Sequence, residues 1–143
     1  MSSKLRMVSW LVLTLVGAVV LFGALVSANL AYSGMYPVGG VAIDQIAQGR
    51  EAVLLGLRGT RGTAAGWAAA WATLFLVVVL GPYRRGDKVS WWGILASTLV
   101  LAAVVALRVP LLGLQAGTGT VLVLLVLVIL ALLVDVKRLT AEH

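Results

Sequence analysis

Four stretches of this chain are free of charge over a length that can cross a lipid bilayer, and no other feature restricts the fold so tightly. They run from about Val8 to Leu30, Thr63 to Leu80, Ser90 to Leu107 and Thr118 to Val134. A spanning helix needs roughly 20 apolar residues, within a range of about 17–25. Of the 143 residues, 62% are hydrophobic and 11% charged, where a soluble domain carries about 45–50% and about 25%. A water-soluble globular domain is excluded, and so is disorder. An open sheet edge cannot face lipid, so the segments must be helical. The expected fold is all-α, a four-transmembrane-helix bundle forming a single domain over residues 1–143.

Charge placement sets the expected topology. Lys4 and Arg6 precede the first stretch, Arg84, Arg85 and Lys88 separate the second from the third, and Lys137 and Arg138 follow the fourth. These are seven of the eleven basic residues, and all fall on one side. The positive-inside rule then puts both termini and the middle loop in the cytoplasm, with the chain integral to the plasma (inner) membrane. Trp10, Tyr83, Trp91 and Trp92 are expected at the cytoplasmic interface, and Tyr32, Tyr36 and Trp67 at the outer one. The net charge of +6 is thus mainly topogenic, and split charges of this kind do not make a nucleic-acid surface. The first stretch, ending in Val26-Ser27-Ala28, also resembles a secretory signal. Its apolar run exceeds the usual 7–15 residues or so, so it is expected to remain as a span.

Between the first two spans, Pro37 and the glycines around it break the helix. Val41–Leu57 then reads as a short extracytoplasmic amphipathic helix. Ile43, Ile46, Ala47, Val53, Leu54 and Leu57 share one face, and Asp44, Gln48, Glu51 and Arg58 another. Arg50 falls on the apolar face, either snorkelling to headgroups or pointing inward as a ligand. Gly81 and Pro82 end the second span. Met7-Val8-Ser9-Trp10 and Lys88-Val89-Ser90-Trp91 echo one another, as a hairpin duplication or as generic flanks of spans entering from one side.

Small residues let helices approach closely in lipid. The second span carries Gly62, Gly66 and Ala70 at every fourth position, so it is expected in the core with the first and third. The fourth, almost all Val, Leu and Ile, is expected to be the most lipid-exposed. Trp67 and Trp71, one turn apart, read as packing and anchoring residues or as a stacking wall for a flat apolar ligand.

The chemistry on offer is sparse. There is no cysteine and one histidine, His143. No ionisable residue lies well inside a span, where proton-coupled transporters usually carry one. No Ser–His or Cys–His pair exists for nucleophilic catalysis, no ligand set for zinc or di-iron, and no phosphate loop. No metal and no cofactor is expected. One cluster stands out: Arg50, Arg58, Arg61 and Arg108 on the outer side, with Asp44 and Glu51. Arginine forks bind carboxylate and phosphate. The cluster is a site for an anionic headgroup or an acidic partner loop, or an internal ion-pair set. Arg58, Arg61 and Arg108 are expected to converge, because antiparallel helices joined by a short turn pack side by side.

Two stretches carry a family likeness. Arg58-Gly59-Thr60-Arg61-Gly62-Thr63, running on to Gly66, opens an apolar helix. Gly81-Pro82-Tyr83-Arg84-Arg85-Gly86-Asp87-Lys88-Val89-Ser90-Trp91-Trp92 is a basic turn followed by tryptophan. Over residues 50–115 they resemble the DoxX-like group of small four-helix bacterial membrane proteins. The resemblance implies a four-helix bundle, and in some members an accessory or quinone-linked role in membrane redox complexes. The lack of cysteine and of an internal histidine leaves a redox role without a visible group here. The expected function is non-enzymatic: an accessory subunit or binding module of a larger membrane assembly, in contact with lipids and other membrane subunits, with a homo-oligomer as a further candidate. The rival is a lipid- or quinone-binding enzyme or carrier, with Trp67, Trp71 and Arg58 lining a pocket between helices.

Overall fold

The computed structural model describes residues 3–34, 37–38, 41–112, 118–136 and 139. Helix α1 spans Ser3–Ser33, α2 Ile43–Ala47, α3 Glu51–Val78, α4 Lys88–Leu112 and α5 Thr118–Val134. A π-helical turn, Val79–Tyr83, extends α3. Strands β1 (Pro37–Val38) and β2 (Val41–Ala42) pair antiparallel, Pro37 opposite Ala42. Three helical segments, Leu5–Ser33, Glu51–Tyr83 and Lys88–Leu111, are long and apolar enough to cross a membrane, and α5 is a shorter apolar helix. Large apolar side chains such as Phe22, Leu74, Val100 and Val123 face outward. In water, apolar exposure of this extent marks an interaction surface or an aggregation hazard, whereas lipid accepts it.

The chain forms two compact units. One is Ala18–Leu74; the other combines Met1–Gly17 with Phe75–His143, the division falling within α1 and α3.

The helices announce their faces by spacing. On α1 the buried residues are Ser9, Leu13, Val16, Gly17, Ala24 and Ala31, which fall along one helical stripe. On α4 they are Ser90, Trp91, Ile94, Thr98 and Val105. Two hydroxyls on these helices satisfy themselves locally. The Thr98 hydroxyl donates to the Ile94 carbonyl at 2.7 Å and the Thr14 hydroxyl to the Trp10 carbonyl at 2.9 Å, the usual recourse of a hydroxyl within a helix.

Three expectations need correction. First, Val41–Leu57 is not one surface helix. Gln48 and Gly49 both adopt left-handed backbone (φ 49° and 76°) and break it, so α2 ends at Ala47. Glu51 onward joins the second span as one continuous helix. The amphipathic pattern itself holds, since Ile43 and Ala47 are buried while Asp44, Gln48 and Glu51 are exposed. Second, α5 is not the helix given over to lipid. Leu125, Val128, Ala131 and Leu132 are buried, one face of α5 packing on α4. A uniformly apolar helix hides its register from periodicity arguments, because every face looks alike. Third, the small-residue stripe of α3 is offset. Gly62, Ala65 and Ala72 are buried, whereas Gly66 and Ala70 are exposed. Helix α4 also runs beyond Leu107, through Pro110 to Leu112. Proline there removes one backbone hydrogen bond, and apolar surroundings keep the rest of the ladder helical.

Candidate functional site

Polar side chains gather in two places, one in each unit. In the Ala18–Leu74 unit, α1 ends at Gly34, whose φ of +76° is the left-handed conformation that closes many helices. A Cβ on Gly34 would collide with the Arg58 guanidinium. Glycine therefore both turns the chain and leaves room for the arginine. The cation lies against the C-terminal end of α1, where the helix dipole favours positive charge. Arg58 Nη2 also sits 3.8 Å from Asp44 Oδ1, with Asp44 72% exposed. A pair this open to solvent contributes about 0–1 kcal/mol. The Arg58 Nε–H is buried and has no acceptor among the described residues. Two turns earlier, Arg50 caps both sides of the break. Its carbonyl accepts from Val53 and Leu54 N–H at the start of α3, and its Nε donates to the Ala47 carbonyl at 3.4 Å. Exposed Glu51 stands in the first turn of α3, where a carboxylate is favoured. One turn beyond Arg58, a Cβ on Gly62 would lie 2.7 Å from Tyr32 Oη.

The structure thus brings Arg58 and Asp44 together and places Arg50 at a helix cap. Arg61 and Trp71 are half-buried, each with a partner, and Trp67 points outward, 74% exposed. The convergence expected of Arg108 lies outside the described side chains.

The second cluster, in the other unit, was not anticipated. Pro82 lacks an N–H and its ring crowds the preceding turn, and here the chain widens into the π-turn that delivers Tyr83. Tyr83 is fully buried, not an interface anchor. Its hydroxyl lies 2.7 Å from Ser9 Oγ and donates to Asp135 Oδ2 at 3.1 Å. Ser9 Oγ in turn donates to the Ala131 carbonyl at 2.8 Å. Ser9, Tyr83 and Asp135 are all within 1% of complete burial. Two hydroxyl protons are shared among three oxygen–oxygen contacts, and either Ser9 or Tyr83 can be the donor of the contact between them. Beside them, buried Trp91 donates its Nε1–H to the Leu132 carbonyl at 3.1 Å. The network binds α1, the π-turn, α4 and the end of α5.

The basic turn after Tyr83 closes on Asp87, which caps α4. Its carboxylate accepts from Val89 N–H at 3.3 Å, from Ser90 N–H at 2.7 Å and from the Ser90 hydroxyl. Arg84 lies over the Trp10 ring, 4.9 Å from its centroid.

Sequence reasoning missed Ser9 and Asp135 because each looks ordinary in line. Asp135 directly follows the apolar run and precedes basic residues, so it reads as a flank. The available signal was Gly81-Pro82 immediately before Tyr83, which marks a distorted turn and hence a re-aimed side chain. Among the described residues no group of three potential metal ligands forms. No family model matches the chain, and no curated protein or solved structure matches it.

Proposed function

We propose that this chain is a non-enzymatic, four-span inner-membrane protein with both termini in the cytoplasm, acting as an accessory subunit that docks against another membrane protein. One observation carries the reading. The outward face of α3 presents Gly59, Thr63, Gly66 and Ala70, all exposed, and a Cβ added at Gly59 or Gly66 would meet nothing within 4 Å. Lipid tails pack as well against Leu as against Gly. A run of small residues matters only where another helix approaches closely. The polar side chains already described support the reading, since they serve the fold: Asp87 caps α4, Asp135 accepts from Tyr83, and Arg58 lies by Asp44.

A four-span count requires α5 to cross. Its 17 residues extend about 26 Å at 1.5 Å per residue, slightly short of a hydrocarbon core of about 30 Å. A modest local thinning closes that gap. The DoxX-like relationship belongs to this proposal. The basic turn does lead into α4 and Trp91, whereas Arg58 and Gly59 lie two turns inside α3, not at its opening.

The test is purification in mild detergent, comparing the native chain with Gly59→Leu and Gly66→Leu. A partner protein that co-purifies stoichiometrically with the native chain and is lost with either variant supports docking. A monomer carrying a stoichiometric lipid or quinone, unchanged in both variants, replaces this reading with the carrier alternative.

A further inference from the structure

We propose that Trp10, Arg84 and Arg6 form a binding site for a phosphate group, supplied by the headgroup of an anionic phospholipid. The argument starts from an unmet hydrogen bond. Trp10 Nε1–H is buried and has no acceptor among the described residues. A buried donor without a partner is costly and calls for an explanation such as a missing acceptor. Its neighbour Trp91 shows the ordinary outcome, donating to the Leu132 carbonyl.

The surroundings specify the missing acceptor. Arg84 lies over the Trp10 ring at 4.9 Å, is exposed, and makes no ion pair among the described residues. Arg6 precedes Trp10 by four positions on α1, hence on the same face one turn away, and is exposed as well. Arg85 and Lys88 follow in the same turn. The nearest acidic residue in sequence, Asp87, spends its carboxylate on the N-terminus of α4. The place therefore offers two guanidinium groups and one indole N–H, and the two carboxylates described near it are engaged elsewhere, Asp87 on the start of α4 and Asp135 on the Tyr83 hydroxyl. An anion with several oxygens in tetrahedral array suits such a set. Arginine forks match phosphate geometry, and an indole N–H is a donor only.

The position on the chain identifies the source. Trp10 and Arg6 lie at the start of a membrane-spanning helix and Arg84 in the turn before another, at the depth where tryptophan meets headgroups. Arg84 has an exposed, flexible stem and is held at the ring by a cation–π contact worth about 0.5–1 kcal/mol at an open site. It can swing aside to admit a phosphate oxygen to the ring edge and then bind the same phosphate. The site is independent of the α3 face and of any protein partner.

The full chain, labelled with 15N, in zwitterionic detergent micelles provides the test. Its five tryptophans give five indole N–H resonances, and Trp10→Phe identifies the one from Trp10. Short-chain phosphatidylglycerol, short-chain phosphatidylcholine and inorganic phosphate are titrated separately. A saturable shift of the Trp10 resonance with phosphatidylglycerol alone supports a lipid site. An equal shift with inorganic phosphate keeps the phosphate site and overturns its lipid source. Arg84→Gln is expected to weaken the phosphatidylglycerol response roughly tenfold, as for loss of a charge-assisted hydrogen bond, with partial recovery in Arg84→Lys. No Trp10 shift with either anion overturns the proposal. So does a shift that phosphatidylcholine matches, or one that Arg84→Gln leaves unchanged while the other four indole resonances hold their native positions.

Discussion

At the scale of single residues, the most consequential atom is the Tyr83 hydroxyl. It touches Ser9 and Asp135 inside a space closed to solvent. Tyr83→Phe keeps the ring and removes the oxygen, leaving both partners short of a contact where water does not compensate. Destabilisation of about 1–3 kcal/mol is expected, read as a lower midpoint of unfolding in detergent. Stability equal to the native chain would show that the hydroxyl contributes nothing net. Asp87→Ala should cost about 1 kcal/mol through loss of the α4 cap, measured the same way. These two residues also show what a sequence discloses. Asp87 stands in the basic turn two residues before Val89, and its capping role is local. Tyr83 and Asp135 are 52 positions apart, and their meeting depends on how the π-turn aims one and how α5 ends beneath the other. Neither is a property of neighbouring residues. The Arg58–Asp44 pair falls between these cases: the charges were visible as an outer cluster, but the place at Gly34 is set by where α1 stops.

At the scale of elements, each charge-free stretch became a helix, because burial in lipid leaves the backbone no other way to satisfy itself. Boundaries were less legible. Helix α3 starts twelve residues before the expected Thr63, since Gln48 and Gly49 concentrate the break at one point. Which face of a helix is inside was legible only where composition varied around it. Helix α5, nearly pure Val, Leu and Ile, gave no signal, and α3 gave a misleading one, because Gly66 is exposed and a Cβ there would meet nothing within 4 Å. Two paired substitutions separate these roles. Gly62→Leu should be the more destabilising of the pair, because a Cβ there falls 2.6 Å from the Tyr32 ring, which must swing away. Gly66→Leu should leave unfolding unchanged. Leu125, only 4% exposed, should cost about 2–5 kcal/mol on truncation to Ala. Unfolding in which Gly66→Leu is the most damaging of the three would place the packed face of α3 elsewhere.

At the scale of the whole molecule, the question is which way the chain faces. Two features of opposite character argue for one orientation. The turn carrying Arg84, Arg85 and Lys88 is basic and short, and short loops near span ends are the ones whose Lys and Arg content governs insertion. The stretch from Pro37 through the first two turns of α3 holds the paired strands β1 and β2, α2 and a helix break, and it mixes Asp44 and Glu51 with Arg50 and Arg58. Its arginines are also partly occupied, Arg50 on the Ala47 carbonyl and Arg58 beside Asp44 and Gly34. A charge held against a helix end is less available to retain a loop in the cytoplasm than a charge standing free. The cytoplasmic side should therefore be that of Arg85, and the outer side that of α2. The chain has no cysteine, so single cysteines report without background. Gln45→Cys, on the exposed side of α2, should react with a membrane-impermeant maleimide in intact cells. Lys88→Cys leaves Arg84 and Arg85 as the basic residues of the turn, and that cysteine should react only after the membrane is opened. Labelling of the Lys88 position from outside, with Gln45 protected, would invert the molecule. It would also move the phosphate site of Trp10 and Arg84 to the outer leaflet.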